Sequence, residues 1–472
     1  MNFLVLLILS FCISFTKCVN YEQPQVPPHL RVPDEKSEPI NASFPLTFYK
    51  DAYVDFRTSP PRLRIFALAG CLLENQYLEV DVFWKEFRSP KLLKIFGDAH
   101  KANCRDSSGI SATPCYYVAN TFVANVTSSG DEVEKIVIHM GRRKVSLGVK
   151  KIENQFSEEG ITVCLQPIYY YTQWQNILLY LEAWRAQGAT RFIVYFHSGT
   201  REVKRVLDYF RDKGLMEVRP WPSFGALPPE ISGKLPDFDS NTYSFSYFLA
   251  MNLCILDIKT SIGTVSDLDE IIVPKNGNLL DYAKKEMETT NVGALSFENV
   301  YVKLVPNLYE SNDFSGLEKP IFLEKWGARK YIFNASTIDI AQVHFARSFL
   351  DFSKIEKNSS DGALLHYRFD VQVADLSNAT VIQKSFNFFP NQTKSHIENL
   401  KDTVGNFFKI FGTPNLPKVN FNLINVLNKC IQTIKNSGKC KATGGLCKAE
   451  MDRVYNWIYE KTENIFLAGK FE

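Results

Sequence analysis

Three carboxylates in four positions, Asp267, Asp269 and Glu270, stand in the stretch VSDLDEIIVP between two apolar runs. If the run before them is a strand, side chains alternate across it, so Asp267 and Asp269 share one face while Leu268 turns into the core. Two carboxylates on one face repel unless a cation or a ligand's hydroxyls lie between them. Hard oxygen donors of that kind suit magnesium or manganese, which keep part of their water shell and also coordinate phosphate oxygens. An Asp-x-Asp triplet arises about once by chance in a chain of this length. A second one, Asp237 to Asp239 in PDFDS, follows Pro236 with no buried strand before it and reads as a loop. The elements around each triplet therefore decide its meaning.

GITVCLQPIYY, beginning at Gly160, is a buried-strand run, and QWQNILLYLEAWRAQG after it places Ile177, Leu181 and Trp184 on one helical face with Gly188 at the end. TRFIVYF is a second strand. TREVKRVLDYFRDKG has Thr200 as N-cap, Val203, Val206, Leu207 and Phe210 on one face and Gly214 as the stop, and LMEVRPW is a third strand. Strands alternating with helices predict an α/β domain with βαβ units and a mostly parallel sheet. A Pro-rich insert, an apolar helix over 243–258 and the run from Ile262 to Val265 then lead into the acidic motif. The motif so closes a fourth strand, at the sheet edge where open α/β folds bind ligands. A helix in LLDYAKKEMET, a strand in GALSFENVYVKLV and irregular chain to about Asn399 complete a domain over 160–399. Before it, RLRIFALAGCLL, YLEVDVFW, YYVANTFVANV and EKIVIHMG predict a β-rich domain over 48–155, and helical periodicity predicts an appended helical extension over 400–472.

With 45% hydrophobic residues in 472, the chain has material for more than one packed core. Its 54 basic and 51 acidic residues leave a net charge of +3 without long blocks of one sign, which argues against a nucleic-acid partner. Residues 1–18 read as a signal peptide or a short signal anchor, and 19–47, rich in Pro and charge, as a stem. Sequons begin at Asn41, Asn125, Asn334, Asn358, Asn378 and Asn391, the acceptor pattern of an exported glycoprotein. Beyond the leader, Cys71, Cys104, Cys115, Cys164, Cys254, Cys430, Cys440 and Cys447 form an even set suited to disulfides, with local bridges expected within 104/115 and 430/440/447. No CxxC pair points to zinc. The expected location is the lumen of the secretory pathway.

CLQPIYYYTQW, RFIVYFHSGT, AMNLCILD, DLDE, KWGARKYIF, AQVHFAR and LLHYR, at their spacing from about Gly160 to Asp370, resemble glycosyltransferase family 92. The resemblance implies a Rossmann-like glycosyltransferase A fold and an inverting, metal-dependent transfer of a hexose. The implied donor is UDP-galactose, the acceptor a hydroxyl on a glycoprotein or polysaccharide glycan, and the place the Golgi lumen, with the chain membrane-anchored or secreted. It assigns a divalent metal, manganese above others, to Asp269, with Asp267 and His366 beside it. Asp267, Arg368 and His197 would face the nucleotide sugar, Glu270 and His344 would support the site, and Glu298 would take the acceptor's proton. Tyr169, Trp174, Trp221 and Trp326 are candidates to stack on sugar or uracil. The chain departs from the family's usual Asn-Asp-Cys with Asn252-Leu253-Cys254, and from the usual phenylalanine after the acidic pair with DEII. These departures motivate an alternative, a non-catalytic secreted carbohydrate-binding relative. A glycoside hydrolase fits least, because its two carboxylates need roughly 5 to 10 Å between them.

Overall fold

The computed structural model describes residues 30–471 except 42–43, 45, 71–74, 86–88, 101–114, 127–132, 155, 228, 230–231, 289–290, 312, 325–326, 350–351, 374–379, 383–385, 391–392, 412–416, 461–464 and 469. The proposed leader, residues 19–29 of the stem, Cys71, Cys104, Trp326, Asn378 and Asn391 lie outside the described residues. No helix among the described residues is long and apolar enough to cross a membrane.

The first unit is a closed barrel. Strand β1 (Leu46–Tyr49) lies beside a ring formed by β2 (Asp51–Asp55), β3 (Arg62–Gly70), β4 (Gln76–Trp84), β5 (Lys91–Ala99), β6 (Tyr117–Asn125), β7 (Val133–Met140) and β8 (Arg143–Ile152). The ring closes because β3, paired with β2 on one side, pairs along its whole length with β6 on the other, Arg62 opposite Asn125 through Gly70 opposite Tyr117. Closure removes the exposed edges an open sheet would carry. RLRIFALAG is apolar almost throughout because both of its faces are buried. Leu63, Ile65, Ala67 and Ala69 fill the barrel, while Phe66 and Leu68 pack outward on the second unit.

The second unit starts with β9 (Glu158–Leu165), α1 (Trp174–Ala186), β10 (Ala189–Phe196), α2 (Arg201–Asp212) and β11 (Glu217–Pro220). Thr200 Oγ1 accepts from the Val203 N–H at 3.4 Å, and Gly188 and Gly214 end the two helices with φ of 96° and 68°, conformations that favour glycine. The Pro-rich insert leads to α3 (Tyr247–Leu256) and β12 (Thr260–Ser266), and then β13 (Glu270–Pro274), α4 (Leu279–Met287), β14 (Val292–Phe297) and β15 (Asn299–Lys303). Strands β16 (Ile321–Leu323), β17 (Lys330–Asn334), β18 (Ser353–Lys357) and β19 (Gly362–His366) follow.

The expected mostly parallel, Rossmann-like sheet is not what forms. The seven-stranded sheet has the order β11-β10-β9-β12-β17-β14-β18, and its first four strands, β11 to β12, are parallel. Strand β17 runs antiparallel to both β12 and β14, and β14 is again parallel to β18. A second, four-stranded mixed sheet, β13-β19-β15-β16, receives the strand after the acidic motif. GALSFENVYVKLV is therefore not one strand: it breaks at Glu298, with β14 in the larger sheet and β15 in the smaller.

The C-terminal segment is likewise not simply helical. After α5 (Thr393–Phe411), α6 (Phe421–Asn436) and α7 (Lys448–Val454), Phe466–Ala468 pairs with β1 and Lys470–Phe471 with β8, so the chain ends on the barrel sheet. Disulfides join Cys115 to Cys440, Cys164 to Cys254 and Cys430 to Cys447. Of these three bridges among the described residues, the last is local in the way expected, whereas Cys115–Cys440 spans 325 residues and ties the barrel to the C-terminal segment.

Candidate active site

Strand β12 ends at Ser266 and β13 begins at Glu270, so Asp267 to Asp269 form a tight turn and not the alternating end of a strand. The Glu270 N–H donates to the Asp267 carbonyl at 3.1 Å and closes it, with Leu268 turned into the core. Three elements hold the turn. The indole N–H of Trp184, from α1, donates to the Glu270 carbonyl at 3.1 Å, and Ser266 Oγ donates to the same oxygen at 3.0 Å. Tyr367, just past β19, donates its hydroxyl to the Leu268 carbonyl at 2.9 Å and its N–H to the Asp269 carbonyl at 3.0 Å. Antiparallel pairing sets Glu270 opposite His366. The carboxylates therefore stand on backbone whose polar groups are engaged, which fixes their positions before any ligand arrives.

The largest electrostatic feature was not singled out from the sequence. Lys330, the first residue of β17, is fully buried, and its Nζ lies 3.1 Å from both Asp267 Oδ2 and Glu270 Oε2. Burial disfavours its charge, but the two carboxylates more than offset that and push the ammonium above its ordinary range. Burial pushes Glu270 up to about 7 against the pull of Lys330. Asp269 is different: burial would raise it, but the facing His366 and the charges of Arg368 and Lys330 hold it below the usual carboxylate range. His366 Nε2 lies 3.5 Å from Asp269 Oδ2, and the imidazole is carried above its ordinary value by that carboxylate although burial opposes it. The Tyr301 ring stacks on it at 4.9 Å and 19°, and Asn299 reaches its Nδ1 at 3.1 Å.

The other candidates lie at varying distances from this cluster. Arg368, half exposed, holds Asp370 at 3.0 Å and adds positive charge near Asp269. His344 is exposed at the rim, bonded to the Arg329 carbonyl at 3.0 Å and within electrostatic range of Lys330 and Asp267. Glu298 is exposed where the chain passes between sheets, and its carboxylate accepts from the Ser359 N–H at 3.1 Å, while the next side chain, Asn299, turns to His366. His197 is buried elsewhere, against Phe245 at 4.2 Å and bonded to Ser198 Oγ at 3.0 Å, and burial pushes it down to about 4. Trp174 and Trp221 are buried with their indole N–H groups bonded to the carbonyls of Pro417 and Phe245, and Tyr169 packs on Phe245. The second triplet is loop structure: Asp237 accepts from the Ser240 N–H and Asp239 from the Phe224 N–H. Of the described sequons, Asn41 and Asn358 are exposed and Asn125 and Asn334 half-buried.

The family model described as glycosyltransferase family 92 matches residues 159–408, more than half of the chain. The chain belongs to glycosyltransferase family 92. Its class of chemistry is glycosyl transfer. No curated protein matches the chain. Among solved structures it is similar to TarS residues 1–349 of S. aureus in complex with UDP, at 14% identity and a TM-score of 0.21, over 30% of this chain and 36% of that one. It is similar to glucosyl-3-phosphoglycerate synthase of Mycobacterium tuberculosis with Mn2+, UDP-glucose and phosphoglyceric acid, at 11% identity and a TM-score of 0.24, over 55% of this chain and 82% of that one. HddC of Yersinia pseudotuberculosis is similar at 14% identity and a TM-score of 0.22, over 51% and 99%. Likenesses this distant leave fold and chemistry to the residues of this family 92 chain itself.

Those residues can be tested against a divalent cation. Among the described residues no group of three or more His, Cys, Asp or Glu is placed to hold a metal. Asp269 Oδ2 and His366 Nε2 are nevertheless 3.5 Å apart, close to the separation of about 3 Å between adjacent ligands with bonds of about 2.1 Å. Asp267 Oδ1 is buried with no hydrogen-bond partner, an orphaned oxygen on the same turn. Magnesium and manganese sites commonly take one or two protein ligands and complete their shell with water and substrate phosphates. The donor set fits that kind of site. The departures from the family pattern also find a place: Asn252 holds the Ala341 carbonyl at 2.8 Å, Leu253 is core, and Cys254 is bridged to Cys164.

Proposed function

We propose that this chain transfers a hexose from a nucleoside diphosphate sugar to a glycan hydroxyl, using a divalent cation held by Asp269 and His366. The observation that carries the proposal is the turn itself. Asp269, kept ionised, faces His366 on backbone anchored from several elements, while Lys330 neutralises the carboxylates on either side. A bound cation would offset the charge that grows on the departing diphosphate. Arg368 sets a guanidinium beside the same position, and Asp267, whose side chain is partly exposed, is the residue assigned to a ribose hydroxyl. Galactose, UDP-galactose, manganese, inversion and a Golgi location are supported by the family's pattern. The base role given to Glu298 requires its carboxylate to leave Ser359 for the acceptor hydroxyl.

A second reading has an observation in its favour. Lys330 supplies a permanent internal cation to Asp267 and Glu270, an arrangement that also suits a relative that binds carbohydrate without turnover. One experiment separates the two: the purified chain with Mn2+, a panel of nucleotide sugars and glycan acceptors, and released nucleoside diphosphate as the readout. UDP release from UDP-galactose, lowered about a hundredfold or more in Asp269→Ala with the fold intact, supports the transferase. Equal release by that variant sinks the proposed mechanism, and no release with any donor favours the binding protein.

A further inference from the structure

Asn299 touches nothing that reacts, yet it is the residue placed to decide whether His366 can hold a cation. It opens β15, which runs parallel to β19 with Asn299 opposite Leu364, and its amide lies alongside the imidazole. Its Nδ2 is 3.1 Å from His366 Nδ1 and 3.4 Å from the Ala328 carbonyl, whereas its Oδ1 is buried with no hydrogen-bond partner. The amide is also closely packed, since a Cβ at Gly327 would fall 2.5 Å from Asn299 Cγ. With Tyr301 stacked at 4.9 Å on the ring, His366 has little freedom to tilt away.

A neutral imidazole has one N–H and one lone pair, so the partner at one nitrogen determines the other. With the amide N–H donating to Nδ1, the imidazole proton sits on Nε2, between His366 and Asp269 Oδ2 at 3.5 Å. That arrangement closes the position to a cation. Turning the amide by half a rotation exchanges two nearly isosteric atoms: the orphaned Oδ1 gains the Nδ1–H, and the Nε2 lone pair faces Asp269. The number of protons on the imidazole does not change; its tautomer does. Groups that donate or accept at the far nitrogen of a ligating histidine orient and tune it, and losing them commonly costs about 10–100-fold in metal affinity.

We propose that Asn299 is a positioning residue for this site, and that rotation of its amide selects the His366 tautomer that admits a divalent cation beside Asp269. The proposal rests on the reading that Asp269 and His366 hold that cation. The test is Mn2+ binding to the full chain without donor or acceptor, measured by titration calorimetry in the parent, His366→Ala, Asn299→Leu and Asn299→Asp. Asn299→Leu removes both amide atoms and is expected to weaken Mn2+ binding about tenfold or more, and Asn299→Asp, which only accepts, is expected to restore it. Binding lost in His366→Ala but unchanged in Asn299→Leu overturns the Asn299 proposal alone. Absence of Mn2+ binding in the parent overturns the proposal together with the reading beneath it. A second measurement needs no folded variant at position 299. With 15N-histidine in the otherwise unaltered chain at alkaline pH, the His366 resonances are expected to report Nε2–H without metal and Nδ1–H with Mg2+. The same tautomer in both states overturns the proposal.

Discussion

Lys330 shows how much of the cluster depends on one side chain. It is fully buried and Glu270 nearly so, and removing one partner of such a pair leaves the other charge without compensation, at a cost of about 3–5 kcal/mol. Lys330→Met is expected to lower stability by that amount in chemical unfolding followed by tryptophan fluorescence. Adding Glu270→Gln is expected to recover part of the loss, because the neutral amide no longer needs the ammonium. Equal stability of Lys330→Met and the parent would show that the pair carries no net energy. The sequence makes this residue hard to find. DLDE, LLHYR and their spacing mark Asp267, Asp269 and His366, but KWGARKYIF holds three cationic residues with no local sign of which one becomes enclosed. That is settled by contact across 63 positions with Asp267, through a strand whose direction is not written in its own residues.

At the level of elements, the helices and parallel strands were legible because their signals are local. Caps, stops and apolar faces define α1 and α2, and both form where Thr200, Gly188 and Gly214 place their limits. Strand direction is not a local property, so the antiparallel insertion of β17 and the break at Glu298 escaped the pattern. The same holds for the chain's last residues, FLA and KF, too short to read as strands but completed by pairing with the barrel. The segment before them is anchored by a close approach of backbones. A Cβ at Gly445 would lie 2.5 Å from the Asp239 carbonyl carbon, so Gly445→Ala must push the segment away from the loop that holds the second acidic triplet. The expected result is faster hydrogen exchange over residues 443–454 with barrel exchange unchanged, and a loss of about 1–3 kcal/mol. Unaltered exchange in α7 would mean that the segment is held mainly by its disulfides.

Across the whole molecule, barrel and transferase unit meet through a buried network of charge, and its titration sets how they come apart. Asp55 of β2 lies 2.8 Å from both Arg57 and Arg64, and Arg64 reaches Asp339 of the second unit at 2.8 Å. Arg347 bridges Asp339 at 3.1 Å and Asp98 of β5 at 2.7 Å, and Arg57 donates to the Ala335 carbonyl at 2.9 Å. Burial raises Asp55 and Asp339, but the neighbouring guanidinium groups outweigh it and hold both below the usual carboxylate range. A carboxyl whose folded value is depressed contributes stability that is fully present above its unfolded value, about 3.9, and lost as pH falls through the folded one. The junction should therefore weaken below about pH 4, whereas Leu63, Ile65, Leu78, Val80, Ile136 and Ile138, which pack inside the barrel, carry no group that titrates. Thermal unfolding against pH is expected to change from one transition to two as acid is added, with the barrel as the later one. Asp55→Asn, which leaves Arg64 with one buried partner fewer, is expected to lower the neutral-pH midpoint and to flatten its acid dependence. A variant with the parent's full acid slope would place the titrating groups elsewhere, and a single transition at every pH would mean that the two units unfold together.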